Sequence, residues 1–199
     1  MSTTTATHRT RTHGGCTPAG RITKSLLGYG VIAGPLYVGV SLAQALTRDG
    51  FDLTRHQWSL LANGDLGWIQ ITNFVLSGLM VVAAAVGMRR ALGPGTGGTW
   101  TPRLVAAFGL SLVAAGIFRA DPALGFPAGT PDGPPATVSA AGLVHFMAAG
   151  VGFTCLAIAC FVLARATPPT AAAAGRAGPA PPVWSSSAAS LASPPAPGA

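Results

Sequence analysis

The chain has 199 residues, of which 49% are hydrophobic and only 9% charged, whereas ordinary soluble domains carry roughly a quarter charged residues. It contains no Glu, and twelve Lys and Arg stand against five Asp, for a formal net charge of +7. No basic stretch is interleaved with aromatics on a foldable soluble segment, so the charge is not read as a nucleic-acid surface. Membrane topology explains the basic residues better, and the lipid bilayer is the one partner the sequence names.

Residues 1–24 are polar and Thr-rich, with Arg9, Arg11, Arg21 and Lys24. They read as a disordered cytoplasmic tail without a cleavable signal, because the first apolar run is long enough to remain as an anchor. Cys16 lies in this tail, while Cys155 and Cys160 lie in one apolar segment. Neither a disulfide framework nor a zinc site follows from that distribution.

Residues 25–166 read as an all-α polytopic membrane bundle, with spans at about 26–46, 68–88, 102–120 and 140–164. Each is free of charge in its interior and long enough for a hydrocarbon core of roughly 30 Å. Buried helices of a soluble protein would show polar faces at a 3.6-residue period; here charges stand only at the ends. Gly30 and Gly34 sit one turn apart, which is either a helix-contact signal or chance in a Gly-rich chain.

Lys and Arg on the connecting segments set the orientation. The N-terminal tail, the loop with Arg89, Arg90 and Arg103, and the tail with Arg165 and Arg176 are basic without acids. The other two loops are mixed: Arg48 and Arg55 with Asp49, Asp52 and Asp65, then Arg119 with Asp121 and Asp132. The alternation predicts a cell-membrane, multi-pass protein with both termini cytoplasmic and every Asp outside. Residues 167–199, dominated by Ala, Pro, Ser and Gly, read as a disordered tail.

Polar residues inside the spans crowd toward the outer end. Tyr37, Ser41 and Gln44 share one face of the first helix, and Gln70, Asn73 and Ser77 share one of the second. His145 lies about one turn into the fourth, on a face with Ala148, Ala149 and Gly152, so it is expected to look into the bundle. The asymmetry predicts a polar, hydrated pocket facing the extracytoplasmic side. An ionisable residue inside a span is a functional candidate by default, though His145 has a structural alternative, a hydrogen bond to Asn73 or a loop carbonyl.

The third loop, Phe118 to Pro131, is rich in turn residues. It is expected to lie back on the membrane surface or to plug the mouth of the bundle. Arg119 and Asp121 either pair locally, or Asp121 orients His145 or helps hold a cation. In the first loop, a short interfacial helix over Thr54–Ala62 would put His56 and Ser59 on one face, with Trp58 and Leu61 at headgroup level. Asn73, Arg119, Asp121 and His145 are thus candidate binding residues, and His56, Ser59, Asp121 and His145 candidate catalytic ones. Two enzyme arrangements are conceivable: a metal held by His56, His145 and an Asp, or Ser59 activated by a His and an Asp. Neither shows the spacing of a metalloprotease helix or a nucleophile elbow. No cofactor or protein partner is indicated, and an uncharged membrane interior without internal repeats argues against a transporter. Binding, transport-accessory or structural function leads, with an outer-leaflet hydrolase or metal-dependent enzyme as the alternative.

Gly34-Pro35, His56, Ser59-Leu60, Gly64, Gly67-Trp68, Phe74 and Gly78 form a recurring set, followed by Gly116-Ile117-Phe118, Asp121-Pro122, Gly125-Phe126-Pro127 and His145. In these residues the chain, over roughly Gly28–Arg165, resembles a bacterial, largely actinobacterial membrane family, domain of unknown function 998. The Asp-Pro-Gly-Phe-Pro loop followed by a helix His is the most specific part. The resemblance implies a polytopic helical bundle without an established activity. It also implies six helices, two of them after the span ending near Ala164, where this chain has its Ala- and Pro-rich tail. A shortened member and a shifted reading frame would both give that change of composition.

Overall fold

The computed structural model describes residues 17–166. Four long helices run α1 Pro18–Thr47, α2 Gly67–Ala91, α3 Thr96–Ile117 and α4 Ala140–Ala166, with a 3-10 turn at Trp58–Ala62. All four are long and apolar enough to cross a membrane, and there is no strand among the described residues. Large apolar side chains such as Val31, Leu79, Leu110, Phe153 and Phe161 stand exposed on the helices. In water such surface would be a severe liability; in lipid it is the ordinary outer face. The protein is a multi-pass, all-α membrane protein.

Two helix starts differ from the expected ones. α1 begins at Pro18, so residues 18–24 are helical and not tail. The cause is a complete start signal: Thr17 caps by accepting from Gly20 N at 3.3 Å, and Pro18 occupies the first helical position. The other tail residues, 1–16, and the segment 167–199 lie outside the described residues. α3 begins at Thr96 and ends at Ile117, against an expected 102–120. Pro102 therefore lies inside the helix, where its missing N–H frees the carbonyl four residues back. Arg89 supplies a replacement donor, with Nη1 2.8 Å from Gly98 O.

Each helix packs on the next in chain order, and α1 and α4 make no substantial contact. Small residues set the closest approaches. A Cβ on Gly78 would stand 2.6 Å from Gly109 O, and one on Gly109 would stand 2.8 Å from Gly78 O. Gly87 meets Leu26, and Gly152 meets Ser111. Of the Gly30 and Gly34 pair, Gly30 lies against Ala84, while Gly34 faces open space. The bundle is thus an arc, tight along α1–α2–α3–α4 and open between its first and last helices.

Candidate functional site

The first and third loops, at one end of the bundle, fold together into a cap with its own small core. Ala45, Leu60, Leu61, Ala120, Ala123 and Phe126 are buried against one another, with Phe51, Trp58 and Leu124 packed around them. The third loop therefore plugs the bundle mouth, one of its two expected placements. No helix spans Thr54–Ala62: only Trp58–Ala62 forms a 3-10 turn, and His56 and Ser59 share no helical face. Leu61 is fully buried in the cap and not at headgroup level, because Arg48 and the third loop draw the turn inward.

Arg48, just past the end of α1, ties this cap. Its Nη1 donates to Leu61 O at 2.6 Å and its Nη2 to Asn63 O at 2.7 Å, while the guanidinium lies 4.9 Å from the centre of the Phe126 ring. Burial lowers its pKa, opposed by attraction from Asp65. Asn63 Nδ2 extends the tie to Ala120 O at 3.1 Å. Sequence reasoning counted Arg48 for topology only; its position directly at a helix end was the available signal for a carbonyl-binding role.

His56 is buried between the Phe51 and Phe126 rings. Its Nδ1 accepts from Asp52 N at 2.9 Å, so the proton resides on Nε2, which donates to Leu124 O at 2.9 Å. Leu124 has φ 59°, a left-handed conformation costly for a Leu. Arg55 Nη2 reaches the same carbonyl at 3.3 Å and pairs with Asp132 at 3.2 Å. With both nitrogens committed to backbone, His56 clasps the first loop to the third. Asp52 is held below the usual carboxylate range, first by the Thr54 hydroxyl and then by its N–H.

Asp121 does not pair with Arg119, which is exposed. Its Oδ2 accepts from Ser139 N at 2.9 Å, and a Cβ on Gly142 would collide with the carboxylate. Ser139 Oγ in turn accepts from Gly142 N at 2.9 Å. The carboxylate thus sits on the N-terminus of α4, where the helix dipole favours an anion. Among the described residues no three His, Cys, Asp or Glu side chains are placed to share a metal ion. The arrangement of His56, His145 and an Asp around a metal is therefore not formed, and His56 has no ring nitrogen left for Ser59, because both are spent on backbone.

The polar stripes of α1 and α2 face each other. Gln70 Oε1 accepts from Gln44 Nε2 at 2.7 Å and from Ser41 Oγ at 3.2 Å. Asn73 Nδ2 donates to Tyr37 O at 3.1 Å and to Ser41 Oγ at 3.2 Å, and Ser77 Oγ donates to Asn73 Oδ1 at 3.4 Å. Asn73 is thereby a link between α1 and α2 and not a partner of His145. Ser41, Gln44, Gln70 and Asn73 mostly satisfy one another and seal a helix contact, whereas Tyr37 and Ser77 border open space; such bonds in lipid average about 0.6 kcal/mol each.

The open side of the arc holds a cavity of about 950 Å³. Leu27, Val31, Val81, Phe108, Phe153 and Leu156 are among its apolar walls. Leu27 and Tyr37 both line it, so it extends for about 15 Å along α1 at the usual helical rise. Its polar groups gather at the cap end: Tyr37, Gln57, Ser59 and His145, with Ser77 and Ser111 beside them. Of the expected site residues, the groove brings together Ser59 and His145; it excludes His56, Asn73, Arg119 and Asp121. His145 is 3% exposed, with Nδ1 2.9 Å from Phe118 O and 3.1 Å from Ala115 O at the end of α3.

No curated protein and no solved structure matches the chain. A family match covers residues 31–196, running past Arg165 into the Ala- and Pro-rich segment. With most of its length matched, the chain belongs to the family described as Protein of unknown function (DUF998).

Proposed function

We propose that the protein is a binding protein of the cell membrane that holds an apolar molecule in the groove between α1 and α4. The carrying observation is the groove itself: about 950 Å³, at the upper end of the 300–1,000 Å³ of ligand sites, in a bundle otherwise packed at glycine contacts. Its apolar length and polar cap end suit a molecule taken from the bilayer. The cap end is read as extracytoplasmic: Asp49, Asp52, Asp65, Asp121 and Asp132 lie in the loops there, while Arg89, Arg90, Arg103 and Arg165 lie at the other end.

Solvent extraction of the purified protein, followed by mass spectrometry, tests this reading. A stoichiometric apolar molecule should co-purify with the wild type and be depleted in Gly34→Trp, where the new side chain enters open space. Equal recovery from both proteins would count against the groove. A hydrolase reading keeps one supporting observation, that Ser59 and His145 line the same groove. Labelling of Ser59 by a fluorophosphonate probe would favour that alternative.

A further inference from the structure

The two hydrogen bonds of His145 determine what its other nitrogen offers. Ala115 O and Phe118 O can only accept, so Nδ1 carries the proton and donates to both. The neutral ring then presents Nε2 as an acceptor. Among the described residues nothing donates to Nε2. Nor is it one of the fully enclosed polar atoms without a partner, which are Gln44 Oε1 and Thr101 Oγ1. Nε2 is therefore not wholly enclosed, although the residue as a whole is 3% exposed. Phe74 and Phe146 flank the ring, with centroids at 6.1 Å and 5.6 Å, and the residue borders the groove.

An acceptor at the end of a long apolar groove calls for a donor. A transmembrane helix supplies none from its backbone, whose N–H groups are spent internally. A lipid ester or ether head supplies only acceptors. We infer that the occupant is a long-chain amphiphile ending in an O–H group, an alcohol or a protonated acid, that donates to His145 Nε2. Its chain runs along α1 and α4 toward Leu27 and Leu156. This rests on the groove being a binding site, and the two ideas fail separately.

The test uses the full chain in phosphatidylcholine nanodiscs and measures saturable binding of radiolabelled hexadecanol. Unlabelled hexadecanol and hexadecyl methyl ether, which keeps the chain and the acceptor oxygen but lacks the O–H, serve as competitors. In the wild type the ether should compete about five- to tenfold more weakly, the factor of one ordinary hydrogen bond. In His145→Phe the two should become equal, and Gly34→Trp should bind neither. The wild-type comparison stands alone should His145→Phe fail to fold. Equal competition in the wild type would overturn the O–H inference and leave the groove as a binding site. Absence of saturable binding in the wild type, or a groove occupied by a protein segment in cross-linking, would overturn both. Hexadecanoic acid in place of the alcohol then distinguishes the two head groups, tighter binding below its pKa marking the protonated acid.

Discussion

Arg89 on α2 performs the backbone task that Pro102 on α3 has given up. A residue other than Pro at 102 would donate its N–H to Gly98 O; the guanidinium does so instead, at 2.8 Å. The substitution joins two consecutive helices at the end opposite the cap, and lets α3 continue through a Pro.

Arg89→Ala should therefore destabilise the detergent-solubilised protein by about 1 kcal/mol, given the exposure of the Arg, and lower its melting temperature accordingly. In a Pro102→Ala background, where the backbone donor is restored, the same change should cost markedly less. A thermal-shift double-mutant cycle reads this coupling; equal losses in both backgrounds would break the link between the two residues.

His56→Ala removes an acceptor and a donor that both serve half-buried backbone. A loss of about 2–3 kcal/mol is expected, from two hydrogen bonds and a void among aromatic rings. Limited proteolysis should then cut the loop between α3 and α4 well before any helix. Unchanged protease resistance would show that the cap does not depend on this ring.

Gly78→Ala should destabilise by about 1–3 kcal/mol, because the methyl would press on the Gly109 carbonyl and neither backbone can retreat. Gly34→Ala meets nothing within 4 Å and should be neutral or gain up to about 1 kcal/mol in helix propensity. Unfolding monitored by SDS titration would separate the two.

Topology is open to direct chemistry. A Cys at position 132, in a background without native cysteines, should react with an impermeant maleimide on intact cells, and one at position 94 only after permeabilisation. The opposite pattern would invert the bundle.

The fold is largely legible in the sequence because lipid forces charges to helix ends, so Arg89 and Arg90, Arg119 and Arg165 stand at or just past the ends of α2, α3 and α4. Legibility stops where a through-space partner decides the outcome. Pro102 reads as the start of the third span because the apolar run framed by Arg103 and Arg119 needs it to reach spanning length; the donor that lets the helix begin at Thr96 comes from another helix. Ser41 and Gln44 on α1, and Gln70 and Asn73 on α2, read as one polar stripe per helix. Periodicity says which face is polar, but not that a second polar face lies opposite, and so a sealed contact resembles a pocket. His145 likewise reads as inward from its small neighbours, while its partners, carbonyls at the end of α3, have no side-chain signature.

The cap over one end of the bundle has a kinetic consequence for the proposed binding. With Leu60, Leu61 and Phe126 closing the mouth and α1 standing apart from α4, the approach to the groove is sideways, through the bilayer. For the occupant proposed above, supply would then be governed by its mole fraction among the surrounding lipids, so that a sparingly water-soluble compound would saturate the protein at negligible aqueous concentration.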